Sequence, residues 1–190
     1  MKPVKTIERL RSKTSTTIVA LGDSLTYGWM VERGYLDFLE EMIAETYPGS
    51  ILNLVNRGIS GDTAAGGLHR LERDVMALIP DCVFVQFALN DAFSGYSSDE
   101  YRKYIEMIIK KIISGLDADI VLVTSVCLDD NQQDELMRIY YEELDALAER
   151  FRLSIVKVHE YWKSKISEGM DFTDLTLYDG AHPNEKGYKL

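Results

Sequence analysis

The sequence predicts an α/β domain in three layers, with helices packed on both faces of a five-stranded parallel sheet. Five short apolar segments alternate with amphipathic helical segments along the chain, and this alternation favours parallel strands joined by right-handed crossovers. The length of 190 residues suits one domain with a substantial core.

A strand, a helix and a second strand open the predicted domain. Residues 16–21 are β-branched and apolar, which is typical of a strand. Residues 35–48 place apolar side chains on one helical face, and Pro48 with Gly49 ends that helix. Residues 51–56 are the second apolar segment and the second predicted strand.

A glycine-rich loop then leads to the middle of the sheet. Asp62 or Thr63 can cap a helix that reaches about Leu78. Residues 82–89 are apolar throughout, as expected of a strand that is covered on both faces. Ser98 is predicted to cap the next helix, whose apolar side chains recur at helical spacing.

The last part of the chain continues the alternation. Residues 119–126 are the fourth predicted strand, residues 131–151 a long amphipathic helix, and residues 153–159 the fifth strand. A shorter helix over about residues 161–168 precedes a long polar loop. The pattern therefore predicts a doubly wound parallel sheet.

Composition restricts the class of protein. Residues 1–15 form a basic N-terminal extension, and residues 16–190 form the predicted domain. The net charge of −10 argues against a nucleic-acid partner, because phosphates require a basic surface. Cys82 and Cys127 lie in apolar runs, so we expect buried free thiols.

The chain lacks the sequence signals of membrane insertion or secretion. No apolar run approaches the roughly 20 residues of a membrane span, and the basic N-terminus has no apolar secretory stretch. We therefore expect a cytoplasmic protein without stable membrane insertion. Its oligomeric state stays open at this point.

Polar loops converge at one edge of the predicted sheet. In doubly wound sheets, ligands bind outside the carboxyl ends of the strands. The loops at that edge carry Ser24 after the first strand, Gly58 after the second, Asn90 with Asp91 after the third, and Asp179 with His182 near the C-terminus. This convergence is stronger evidence for a site than any one motif.

His182 is the best candidate for a general base. It follows Asp179 by three residues, and a carboxylate so close can bond one ring nitrogen and leave the other to accept a serine proton. His69 fits a helix surface, and His159 a structural position at the end of the fifth strand. The alternative for His182 is a helix start at Pro183 that the polar residues merely cap.

Ser24 fits two roles on local sequence alone. In the stretch VALGDSLTYGW it can be a nucleophile after a strand, or Asp23 and Ser24 can cap the next helix. Candidate oxyanion donors are the Ser24 N–H, the Gly58 N–H and the Asn90 amide. Each has a structural alternative, since Gly58 can be a loop glycine and Asn90 a turn residue.

Four sequence blocks together resemble the GDSL esterases, also called SGNH hydrolases. The blocks are GDSL at 22–25, NRGISGDT at 56–63, ALND at 88–91 and DGAH at 179–182. Each block alone is unspecific, but the four stand in the family's order and cover nearly the whole chain. Thr26 breaks the G-x-S-x-G pattern of α/β-hydrolases, which disfavours that family.

The resemblance implies a flavodoxin-like α/β/α fold and a serine esterase without metal or organic cofactor. The implied roles are nucleophile for Ser24, base for His182, orienting carboxylate for Asp179, and oxyanion donors for Ser24, Gly58 and Asn90. Asp23 and Asp91 are expected to support the loops through bonds to backbone N–H groups.

The expected substrate is a small carboxylic ester, with an acetyl or other short acyl group. A lysophospholipase or a thioesterase of the same family is the alternative. Residues beside the motifs that could line an acyl or alcohol pocket are Tyr27, Trp29, Phe93, Tyr96, Leu128 and Tyr178.

Two features depart from the family's pattern. Ala88 stands where the family usually has glycine, so a tight backbone approach there would be altered, although Asn90 is retained. The helix that should follow His182 is short or truncated at Leu190. We expect this stub to leave part of a core face less covered.

Two alternatives come from other functional classes. One is a metal-assisted phosphoester hydrolase that uses Asp23, Asp91, Asp179 and His182. The other is a non-catalytic binding domain with a decayed site. The retention of Ser24 with the other predicted catalytic side chains disfavours decay.

Overall fold

The computed structural model describes residues 2–190, which fold around one five-stranded sheet. Its neighbouring strands are all parallel, in the order β2-β1-β3-β4-β5. The strands are β1 (Thr16–Gly22), β2 (Leu52–Gly58), β3 (Cys82–Gln86), β4 (Asp119–Val123) and β5 (Ser154–Val156). This order is that of flavodoxin-like sheets, so the predicted fold class is confirmed.

The helices alternate with the strands. They are α1 (Val4–Arg11), α2 (Ser24–Tyr27), α3 (Tyr35–Thr46), α4 (Ala64–Asp74), α5 (Leu89–Phe93), α6 (Ser98–Gly115), α7 (Asn131–Phe151), α8 (Val158–Ser167) and α9 (Glu185–Lys189). Short 3₁₀ turns follow at Met76–Leu78 and Phe172–Asp174. None of the helices within residues 2–190 combines the length and the apolarity that a membrane crossing needs.

Different helices cover the two faces of the sheet. Successive strand residues point to opposite faces, so neighbouring positions of β1 enter different cores. Val19 packs in the core that holds the buried side chains of α4, α6 and α7. Ile18 packs in the core that holds Leu10 of α1 and Ile43 of α3.

The segment 1–15 contains a helix that packs on the domain. Leu10 of α1 is buried in the second core. The backbone N–H and the hydroxyl of Thr6 both donate to Asp119 Oδ2, at 2.8 and 2.7 Å. These bonds tie α1 to the first residue of β4.

Several predicted boundaries shift by local chemistry. Ser97 rather than Ser98 caps α6, because its hydroxyl accepts from the Glu100 N–H while Glu100 accepts from the Ser97 N–H. The third strand ends at Gln86, since the chain turns there into α5. Leu78 lies in a 3₁₀ turn and is exposed, so the predicted α4 was too long.

His159 is not at the end of a strand, as predicted, but in the first turn of α8. It is buried, in keeping with a structural position, while His69 is exposed on α4. Cys82 and Cys127 are buried free thiols, as expected. The cytoplasmic location stays a prediction.

Candidate active site

The carboxyl ends of β1, β2 and β3 lie side by side because β1 pairs with both of the other strands. Gly22 at the end of β1 pairs with Gly58 of β2 and with Gln86 of β3. The loops that follow these strands therefore start from adjacent points. This edge lies where the strand order reverses, which is where ligands bind in such sheets.

Helix α2 begins at Ser24 and is capped by the residue before it. Asp23 is the N-cap, and its Oδ1 accepts a hydrogen bond from the Leu25 N–H at 2.9 Å. The capping is therefore done by Asp23, and the hydroxyl of Ser24 is free for another partner. The two local roles of this stretch thus belong to two different residues.

Ser24, His182 and Asp179 form one chain of hydrogen bonds. His182 Nε2 lies 2.8 Å from Ser24 Oγ, and His182 Nδ1 lies 2.6 Å from Asp179 Oδ2. An ionised carboxylate only accepts hydrogen bonds, so Nδ1 carries the proton that it shares with Asp179. Nε2 of the neutral ring is then left to accept the Ser24 proton.

Asp179 is fixed by the backbone of its own loop. Its Oδ1 accepts from the N–H groups of Ala181 and His182, at 3.1 and 3.0 Å. Partial burial alone would raise its pKa, but these bonds and the His182 ring outweigh it, so the pKa of Asp179 lies below its ordinary value. The carboxylate is therefore ionised at neutral pH.

The loop that carries His182 is closed by backbone pairing, in which the Leu177 N–H donates to the His182 carbonyl at 2.7 Å. An antiparallel bridge joins Thr176 to Pro183. The next helix starts at Glu185 and is capped by Asn184, whose side chain accepts from a first-turn N–H. The alternative in which His182 belongs to a helix cap is therefore wrong.

Trp29 forms a wall beside the imidazole. Its ring centroid lies 4.5 Å from that of His182, with the planes tilted by 45°. Tyr27, Phe93 and Tyr178, also expected near a pocket, are largely exposed. Of these four aromatic residues, we therefore place Trp29 next to the reacting atoms.

Three N–H groups on the loops that follow β1, β2 and β3 are candidates to hold an oxyanion. In the described part of the chain, no acceptor is hydrogen-bonded to the backbone N–H of Ser24 or to that of Gly61. Gly61 is exposed and has a φ of 78°, a conformation that glycine adopts readily. The amide of Asn90 donates to the Asp62 carbonyl at 3.0 Å, which fixes its orientation beside the Gly61 loop.

The structure corrects the prediction that Gly58 supplies a donor. The Gly58 N–H already donates to Asn56 Oδ1 at 2.9 Å. A Cβ at Gly58 would lie 2.2 Å from the Tyr27 nitrogen. Glycine is required there by the close approach of β2 to α2. The sequence could not separate Gly58 from Gly61, because both stand in the same block.

Asp23 and Asp91 hold the loops of the site through hydrogen bonds from the N–H groups of Leu25 and Ala64. The Asp91 carboxylate accepts from the Ala64 N–H at 3.0 and 3.2 Å, at the start of α4. Burial raises the pKa of Asp23 to about 7 and the pKa of Asp91 to about 7. Both carboxyl groups therefore lie in surroundings that disfavour charge.

Ala88 adopts a backbone conformation that glycine tolerates better. It is fully buried, with φ 157° and ψ −46°. Such a conformation costs an L residue about 1 kcal/mol or more. The fold nevertheless accommodates the methyl group in its core, and Asn90 keeps its bond to Asp62.

An apolar groove of about 580 Å³ lies between α3, α8 and α9. It adjoins the site, because its lining includes Leu25 and Pro183, the residues that follow Ser24 and His182, but Ser24 and His182 do not line it themselves. The volume of this groove therefore does not measure the space available to a substrate at Ser24.

No cluster of three or more His, Cys, Asp or Glu side chains within residues 2–190 is arranged to hold a metal ion. The four residues of the phosphoester hydrolase alternative do not form such a group. Asp91 and Asp23 instead face backbone N–H groups. The geometry of the donors thus gives that alternative no support.

Comparison with known proteins relates most of the chain to one family. The model of the GDSL-like Lipase/Acylhydrolase family matches residues 20–190. An acetylxylan esterase from Geobacillus stearothermophilus is 29% identical over 173 residues, covering 83% of this chain and 76% of the relative. An arylesterase from Vibrio mimicus is 26% identical over 175 residues, covering 90% and 82%.

Solved structures show the same fold. The crystal structure of Axe2, an acetylxylan esterase from Geobacillus stearothermophilus, superposes with a TM-score of 0.81 at 20% identity. The match covers 91% of this chain and 89% of that one. Further structures carry Axe2 substitutions of a serine, an aspartate and a histidine, each described as a catalytic mutant.

Proposed function

Since the chain belongs to the GDSL-like lipase/acylhydrolase family and is a carboxylic ester hydrolase, we propose that Ser24, His182 and Asp179 are its catalytic triad. The observation that carries this proposal is the continuous hydrogen-bond chain from Ser24 Oγ through the imidazole to Asp179, at 2.8 and 2.6 Å. The substitutions described as catalytic in Axe2 involve the same three residue types.

Acylation starts at the serine hydroxyl. His182 Nε2 removes the proton of Ser24 as Oγ attacks the acyl carbon of the ester, and the carbonyl oxygen becomes an oxyanion. Asp179 stabilises the imidazolium that forms. The imidazolium then protonates the alkoxide of the departing alcohol, the ester C–O bond breaks, and Ser24 carries the acyl group.

Deacylation repeats the chemistry with water as nucleophile. His182 removes a proton from the water as the water oxygen attacks the acyl carbon, and returns a proton to Ser24 Oγ as the acyl–serine bond breaks. The oxyanion of both steps is held by the N–H of Ser24, the N–H of Gly61 and the amide of Asn90. These donors need little rearrangement because two are unoccupied and the third is oriented by Asp62.

We propose an acetyl or other short acyl group as the substrate's acyl part. The names of the acetylxylan esterase and the arylesterase support a small carboxylic ester. Trp29 supports a confined site, because its ring stands against the base.

Hydrolysis of p-nitrophenyl esters tests the proposal. A series from acetate to decanoate should give the highest kcat/KM for the shortest chains. Ser24→Ala should lower kcat by about a thousandfold or more, whereas a chelator should leave the rate unchanged. Full activity of Ser24→Ala, or loss of activity with the chelator, would overturn the triad.

The same series separates a short-acyl from a long-acyl preference. If kcat/KM peaks at decanoate, the short-acyl proposal is wrong and a long-acyl preference, as a lysophospholipase would have, replaces it. Ser24→Ala serves as the blank for each ester. The acyl preference and the triad are thus tested by different comparisons in one data set.

A further inference from the structure

Arg70 is a buried cation on α4 that the proposed chemistry does not use. Only 7% of its side chain is exposed. A guanidinium has five N–H donors and cannot lose its charge, so its burial demands acceptors. The Arg70 guanidinium donates to Asp62 Oδ2 at 2.7 Å, the Arg57 carbonyl at 2.7 Å, Asp74 Oδ2 at 3.0 Å and the Gly22 carbonyl at 2.9 Å.

Two of these bonds end where β1 and β2 stop and the loops of the site begin. Gly22 is the last residue of β1, and Asp23 with Ser24 follows it directly. The Arg57 carbonyl belongs to the peptide that enters Gly58, the last residue of β2. One planar side chain therefore joins the two places where the backbone leaves the sheet.

A third bond reaches the loop that carries the other donors. Asp62 follows Gly61, and its carboxylate accepts from Arg70 Nε. The carbonyl of Asp62 in turn accepts from the Asn90 amide at 3.0 Å. The orientation of Asn90 thus depends on a residue that Arg70 holds.

We propose that Arg70 is the positioning residue of the oxyanion hole, because its guanidinium fixes the segments that carry the Ser24 and Gly61 donors and, through Asp62, the residue that orients Asn90. Arg70 does not touch the reacting atoms and acts through these segments. The inference rests on the proposed function of Ser24.

The planar guanidinium, with its three nitrogens arranged as a fork, explains why lysine could not replace Arg70. The four bonds leave the guanidinium in different directions and from three nitrogens. An ammonium on a flexible stem is a single point of charge and cannot span these acceptors at once. Arg70→Lys keeps the charge and most of the volume, so it isolates the loss of the fork.

Arg73 provides a matched control on the same helix. It also pairs with Asp74, at 2.6 and 3.0 Å, but its side chain is 75% exposed and in the described residues touches no active-site loop through a hydrogen bond. Arg73→Lys makes the same change of side chain as Arg70→Lys, from a guanidinium to an ammonium group. Its effect on the rate should be negligible, as is usual for exposed ion pairs.

The test combines turnover with covalent labelling of Ser24 by a fluorophosphonate. The labelling endpoint counts competent molecules, and the labelling rate reports how well each molecule stabilises the oxyanion-like transition state. Arg70→Lys should lower kcat and the labelling rate by about tenfold to a hundredfold, with KM changed much less and the endpoint unchanged. Arg73→Lys should match the wild type in all four quantities.

Three other results would each contradict one of the claims. If Arg70→Lys turns over and labels at the wild-type rate, Arg70 does not position the hole. If its endpoint falls while the labelling rate of the remaining molecules is normal, Arg70 only stabilises the fold. If the wild type itself is not labelled at Ser24, the proposed triad fails, and this inference fails with it.

Discussion

The chain contains two histidine–aspartate pairs with nearly the same bond length and opposite surroundings. His182 lies 2.6 Å from Asp179 on one short loop, and about a quarter of each side chain is exposed, at 23% and 25%. His159 lies 2.8 Å from Asp134, and these side chains are only 8% and 5% exposed. The difference between the pairs lies in what surrounds them.

The buried pair is closed by further structural bonds. Asp134 also accepts from Lys163 Nζ at 2.6 Å and from the Leu128 N–H at 3.0 Å. It therefore joins the first turn of α7 to α8 and to the loop after β4. Its burial would raise its pKa, but the bonds from Lys163, Leu128 and His159 outweigh this, and the pKa of Asp134 lies below its ordinary value.

The His182–Asp179 pair is partly exposed, and the second ring nitrogen of His182 faces the Ser24 hydroxyl. A carboxylate beside an imidazole is therefore not by itself a catalytic device. The pair at Ser24 can move a proton, whereas the pair at Asp134 holds two helices together. The comparison teaches that such a pair needs a hydroxyl at the second ring nitrogen before it can activate a nucleophile.

Replacing each histidine with alanine tests the difference between the two pairs with the largest expected effect. His182→Ala should lower kcat by about a thousandfold or more, because Ser24 loses its base. His159→Ala should change kcat little in the folded protein and should instead lower the melting temperature. Steady-state hydrolysis of p-nitrophenyl acetate, at a temperature where circular dichroism shows both variants folded, checks this. Equal losses of kcat would show that the roles are not divided.

The oxyanion donors extend the comparison to the neighbouring loop. Asn90→Ala should lower kcat by about a hundredfold or more, because the lost donor acts on the transition state. KM should change far less. Kinetics of Asn90→Ala with the same ester provide the measurement, with Asn53→Ala on the exposed side of β2 as control. A change confined to KM would remove Asn90 from the oxyanion hole.

Neutralising each carboxylate sharpens the comparison in terms of stability. Asp134→Asn should lower the free energy of unfolding by about 3 kcal/mol, because a buried hydrogen-bonded ion pair loses one partner. Asp179→Asn should cost much less stability, since the side chain is partly exposed, yet it should slow turnover. Urea denaturation and ester hydrolysis of both variants test the pattern. The opposite ranking of stabilities would contradict it.

The pH dependence of stability gives the smallest expected effect. The folded-state pKa of Asp134 is lowered, so its contribution is present above the ordinary value near 3.8 and is lost as pH falls further. The stability difference between wild type and Asp134→Asn should therefore shrink as pH falls below about 4. Urea denaturation across that range measures it. A difference that grows toward acid would show that the ionised carboxylate does not stabilise the fold.

Sequence patterns were sufficient where the signal was local. Asp179 and His182 are three residues apart, and Ser24 follows a clear strand, so each could be found from a short block. The sheet itself was predictable because apolar segments alternate with helical ones. Strand ends were less predictable, since Phe87 continues an apolar run after β3 has ended.

Contacts between distant residues left no such signal. Arg70 bonds the Gly22 carbonyl, 48 positions away, and a carbonyl acceptor exists at every residue. Asp134 and His159 are 25 positions apart and come from different helices. The choice between Gly58 and Gly61 depended on the side chain of Asn56, which occupies one N–H and not the other.

The most direct test of the account is where a fluorophosphonate attaches and how fast. Peptide mass spectrometry of the wild type should place the label on Ser24. In His182→Ala, the rate of labelling at Ser24 should fall by about a hundredfold or more. In His159→Ala, Ser24 should be labelled at the wild-type rate. A label on another residue, or unchanged labelling of Ser24 in His182→Ala, would contradict the assignment of His182 and Asp179 as the pair that activates Ser24.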